Sequence, residues 1–87
     1  MSDFTIQLYE KIGSLANGLA KTGNKMTFSE VNERLGYPRK SARAIAKDVS
    51  HAYTYFEEKG DHQTSLNIAT RITKKNGKWA WGKKEGL

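Results

Sequence analysis

Arg39, Lys40, Arg43 and Lys47 crowd nine positions, with the hydroxyl of Ser41 among them. Side chains of these types bind anions. A guanidinium presents a planar fork that matches a phosphate or the paired acceptors of a guanine edge, while a lysine is a compact charge suited to phosphate. A second basic run holds Arg71, Lys74, Lys75, Asn76 and Lys78. Bond-breaking chemistry has no comparable set. His51 and His62 are the only histidines, and no pattern places either beside a nucleophile. No acidic cluster could hold paired magnesium ions, and no glycine-rich phosphate loop is present. Cysteine is absent, which removes a thiol nucleophile, a disulfide framework and a cysteine zinc site. The expectation is a protein that binds rather than catalyses, with no metal and no cofactor.

Charge points the same way. Fifteen Lys and Arg against nine Asp and Glu give a formal +6. Residues 1–37 balance Lys11, Lys21, Lys25 and Arg34 against Asp3, Glu10, Glu30 and Glu33, so residues 38–87 carry the whole excess. A basic half on a small domain favours a polyanionic partner, because neutralising phosphates releases counterions. The plainer reading of such charge is solubility. At 87 residues the chain has room for one core, and 37% hydrophobic residues suffice to fill it. The opening MSDFTIQLYEKIG lacks the basic-then-apolar pattern of a signal peptide, and no run approaches a membrane span. A cytoplasmic protein is expected.

The elements that must position these bases follow from periodicity. Leu8, Tyr9, Ile12, Leu15, Ala16 and Leu19 form one apolar stripe on a helix from about Asp3 to Lys21, broken by Gly23-Asn24. Its polar side, which includes Lys11 and Ser14, reads as solvated surface. Thr27 followed by Glu30 is a capping box for a second helix, Phe28 to Leu35, which Gly36 stops. Lys25 to Thr27 also reads as a short extended strand before it. A third helix runs from Arg39 or Ser41 to Glu58, with Ala42, Ile45, Val49, Ala52, Tyr53 and Phe56 inward. Tyr55, on another side, reads as exposed and as a mark of a partner surface. After a polar loop, Asp61 to Ser65, the stretch Leu66 to Ile72 alternates apolar and polar like a half-buried strand. Asn76-Gly77 is a strong type I′ turn signal, and a two-residue turn there sets Lys75 opposite Lys78 and Ile72 opposite Trp81. Trp81 then faces the core and Trp79 the outer side.

The stretch Phe28 to Lys47 resembles a helix-turn-helix: Val31 and Leu35 inward, Gly36 in the turn, Tyr37 after it, Ala42 and Ile45 holding the second helix. Asn32 departs from the motif, which prefers a small residue where the helices approach. With the hairpin, the whole resembles an α+β winged helix, three helices with a C-terminal β-hairpin wing, over residues 1–81. Residues 82–87, with Lys83 and Lys84, form a flexible basic tail.

The resemblance implies selective binding of double-stranded DNA, by a small transcriptional regulator or a nucleoid-type protein. Helix three would enter the major groove with Arg39, Lys40, Ser41, Arg43 and Lys47. The wing would follow the backbone or minor groove with Arg71, Lys74, Lys75, Asn76 and Lys78. Against this stand a solvated face for the helix and edge protection by lysine for the hairpin. The alternative functions are a module for structured RNA or for a protein partner, and palindromic sites would require a homodimer.

Overall fold

The structure is a computed structural model and describes residues 3–36 and 42–73. Helix α1 spans Asp3–Thr22 and buries Leu8, Tyr9, Ile12, Ala16 and Leu19, which recur every three or four residues. The chain passes through a short extended segment, β1 (Met26–Thr27), into α2 (Phe28–Leu35). The capping box closes in both directions. Glu30 N–H donates to Thr27 Oγ1 at 3.3 Å, and Thr27 N–H donates to Glu30 Oε1 at 2.8 Å. Gly36 ends α2 at φ 73°, a left-handed conformation that costs a glycine little, and its N–H donates to the carbonyls of Asn32 and Glu33. Helix α3 spans Ala42–Glu58 and buries Ile45, Val49, Ala52 and Phe56. Helix α4 spans His62–Arg71 and runs directly into β2 (Ile72–Thr73).

The expected winged helix is overturned at Asp61. Four helices hold 83% of the described residues, and the sheet is two short strands. They pair in parallel, Met26 opposite Ile72 and Thr27 opposite Thr73. Parallel strands need a crossover, which α2, α3 and α4 supply, so this pair is no hairpin. Of the stretch Leu66 to Ile72, expected as a strand, Leu66 to Arg71 are instead helical and belong to α4, and Ile72 alone is extended, in β2. Asp61 is the reason. Its carboxylate accepts from Thr64 N–H at 3.2 Å and from the Thr64 hydroxyl at 2.8 Å, an N-cap that starts a helix where a loop was expected. From there Thr64, Ser65, Ile68, Ala69 and Ile72 are buried, a 3.6-residue period, while Leu66 is 54% exposed. The fold is therefore not an α+β winged helix with a C-terminal β-hairpin wing. The Asn76-Gly77 turn, Trp79 and Trp81 lie outside the described residues.

One core joins all four helices and β2. Helix α1 packs on α3 and α4 at a place only glycine permits. A Cβ on Gly13 would lie 2.5 Å from two ring carbons of Phe56 and 3.0 Å from Thr64 Cγ2. Beside it, Asn17 Nδ2 donates to Thr64 Oγ1 at 3.1 Å and Asn67 Nδ2 donates to Asn17 Oδ1 at 2.8 Å. The polar edge of the α1–α4 contact is thereby satisfied, as a partly buried amide requires.

Three carboxylates fasten the far end of the molecule. Glu10 Oε2 accepts from the Tyr55 hydroxyl at 2.8 Å and from Lys59 Nζ at 3.1 Å, tying α1 to the end of α3. Tyr55, expected to be exposed, is thus a half-buried strut whose ring also lies 5.5 Å from that of Tyr9. The Tyr55 hydrogen bond, then Lys59, hold the Glu10 carboxyl below its ordinary value, and Glu10 holds both partners protonated above theirs. Ser65 and His62 do the same for Glu57, as the Thr64 hydroxyl and N–H do for Asp61. A carboxylate with a depressed folded pKa adds stability above its unfolded value, about 4.3, and loses it as pH falls through the folded value. The thermal midpoint should therefore be level from about pH 5 to about pH 10, where Tyr55 and Lys59 begin to titrate, and fall steadily below about pH 5. Glu10→Gln should lower the neutral midpoint and make the acid decline shallower. An acid limb that Glu10→Gln leaves unaltered would detach this cluster from stability.

Candidate nucleic-acid interface

The candidate site follows from the way α3 is held. Ile45, Val49, Ala52 and Phe56 fix one face in the core, so the opposite face must point outward. That outward stripe reads Arg43, Lys47, His51, Thr54 and Glu58, all exposed. Its sign changes along the helix, from two cations in the first turns to a carboxylate in the last. The N-terminal end of a helix also carries partial positive charge from its free amides. An anion is therefore favoured at the start of α3 and disfavoured at its end.

Helix α2 has a different surface. Its exposed residues are Ser29, Glu30, Glu33 and Arg34. A phosphate backbone lying over Glu30 and Glu33 would meet two carboxylates, one of them held in the capping box. Asn32, the departure from the helix-turn-helix pattern, is half-buried, and its Oδ1 is buried with no hydrogen-bond partner among the described residues.

Of the ten residues expected at the interface, Arg43 and Lys47 are brought together one turn apart. Arg71 is not on a wing. It sits in the last turn of α4, half-buried, with its Nε buried and no partner for it among the described residues. Arg39, Lys40, Ser41, Lys74, Lys75, Asn76 and Lys78 lie outside the described residues. Charge divides along the same line. The described residues carry eight bases and eight acids, so the whole +6 belongs to Arg39, Lys40, Lys74, Lys75, Lys78, Lys83 and Lys84 against Glu85. The described residues together are neutral. No family model, curated protein or solved structure matches this chain.

Two further features bear on chemistry. Glu57 Oε2 is a common acceptor for the Ser65 hydroxyl and for His62 Nδ1, the latter at 3.1 Å. A nucleophilic relay needs the imidazole between hydroxyl and carboxylate. Here the carboxylate is in the middle and Ser65 is 1% exposed, so the cluster fastens the α3–α4 corner. Among the described residues, no group of three His, Cys, Asp or Glu is placed to hold a metal ion. No described helix is long and apolar enough to cross a membrane.

Sequence reasoning missed one surface. An open groove of about 700 Å³ lies between α1 and α2, with Lys11 on one wall and Arg34 on the other. These residues are 23 positions apart and looked like ordinary solvated charges. Only the juxtaposition of the two helices reveals them as a pair.

Proposed function

We propose that this chain binds double-stranded DNA through the first two turns of α3, as a non-catalytic cytoplasmic protein acting on the nucleoid or as a small regulator. The observation that carries the reading is the pair Arg43 and Lys47, exposed one turn apart on a helix whose other face is locked in the core. The excess charge supports it by position. Arg39 and Lys40 immediately precede that helix, and five lysines follow β2. DNA fits better than RNA, because the A-form major groove is too deep and narrow for a helix to enter.

The test is the salt dependence of binding to a short labelled duplex. Each phosphate neutralised contributes about 0.9 to the log–log slope. A slope of several units is expected, with duplex RNA a poor competitor. Absence of binding at low salt, or binding indifferent to salt, would sink the reading. RNA competing as well as DNA would move it to RNA.

A further inference from the structure

The α1–α2 groove differs in sign from its neighbour across one helix. Among the described residues, its polar lining besides Lys11 and Arg34 is Ser14, Thr22 and Asn24, with no carboxylate. Thr22 Oγ1 donates to the Leu19 carbonyl at 3.1 Å and accepts from Asn24 Nδ2 at 2.9 Å, which orients that edge. Leu15, Leu19 and Leu35 supply the apolar part. A second groove, of about 410 Å³, shares the ridge of Ser14 and Gly18 on α1 but is lined by Glu10 and Asp61 with Lys21. Charge therefore selects the first groove for an anion and the second against one.

We propose that the α1–α2 groove holds one phosphodiester strand of the bound duplex, with Lys11 and Arg34 on phosphates and Ser14 and Asn24 as neutral donors. This rests on the DNA reading above and extends it to a surface away from α3. Size agrees. Lys11 to Thr22 covers about 16 Å of α1, against about 3.4 Å of duplex axis per phosphate on one strand. Position agrees too. Arg34 and Leu35 line the groove just before Gly36, and Ala42 begins α3 six residues on, at most about 21 Å away. One turn of duplex is about 34 Å, so a single duplex spans both places. The acidic side of α2 is consistent with a strand passing in the groove rather than over Glu30 and Glu33.

Gly18 makes the test clean. A Cβ built there meets nothing within 4 Å, and replacing a helical glycine raises helix propensity, so Gly18→Glu and Gly18→Gln should both fold. Circular dichroism checks this. In anisotropy titrations of a labelled duplex, Gly18→Glu should weaken binding on the order of tenfold through like-charge repulsion. Gly18→Gln, which puts the same bulk in the groove without charge, should weaken binding clearly less than Gly18→Glu. Arg34→Ala, at an exposed position, should reduce the salt slope by about 0.9. Equal loss in Glu and Gln variants would overturn the phosphate assignment. So would unaltered affinity and slope in Gly18→Glu and Arg34→Ala while Arg43→Ala is impaired, and the DNA reading would then stand without the groove. If the unaltered protein binds no duplex, both fall together.

Discussion

Ile68→Ala should cost about 2–5 kcal/mol of stability, whereas Leu66→Ala should change it by no more than about 0.5 kcal/mol. Ile68 is 0% exposed and among the largest fully buried side chains; Leu66, two residues earlier, is 54% exposed. Ile68 belongs to the one core cluster, so truncating it removes packing there and leaves a cavity. Truncating Leu66 removes little, and Ala is as good a helix former as Leu. The comparison decides between helix and strand. In a strand the two residues share a face and should cost alike; in α4 they point to opposite sides. Urea unfolding at constant slope is the measurement. For a domain whose total stability is about 5–15 kcal/mol, the loss at Ile68 should move the midpoint far down. Similar losses at both positions would sink α4 and restore the strand.

What was legible in the sequence, and what was not, follows from how local the causes are. The stripe on α1, the Thr27–Glu30 box, Gly36 and the buried face of α3 are set within one or two turns, so periodicity and caps find them. Helix α4 was lost because its sequence satisfies two periods at once. Leu66, Ile68 and Ile72 alternate if Ala69 is overlooked; Ser65, Ile68, Ala69 and Ile72 are helical if Ser65 counts as buried. Asp61 tips the balance, as an N-cap that looked like one more polar loop residue. The site divides in the same way. Arg43 and Lys47 were legible because a helix shows both faces in one sequence. Tyr55 was misread because its partner, Glu10, is 45 positions away. The Lys11–Arg34 groove needed two helices side by side.

The largest functional effect is expected at Arg43. Arg43 is exposed in the first turn of α3, Lys47 continues its face, and Ile45 and Val49 anchor the opposite side. The guanidinium is therefore presented on a helix that cannot roll without unpacking the core. That rigidity lets an arginine discriminate a base edge, and a good bidentate contact is worth about 1–3 kcal/mol against the wrong base. If Arg43 reads a base, Arg43→Ala should weaken a preferred site about 5- to 150-fold and leave unrelated duplex nearly untouched. If it meets only phosphate, both affinities should fall by the same factor and the salt slope should drop by about 0.9. The planar fork favours the first pattern at Arg43, and the second is expected at Lys47, whose compact charge suits phosphate. Lys47→Ala should thus lower all duplex affinities together, and the two variants should differ in selectivity more than in overall binding. Titrating both against duplexes of contrasting base composition, over a range of salt, separates these outcomes. If neither variant changes binding, α3 does not enter the groove, and the DNA reading fails with it.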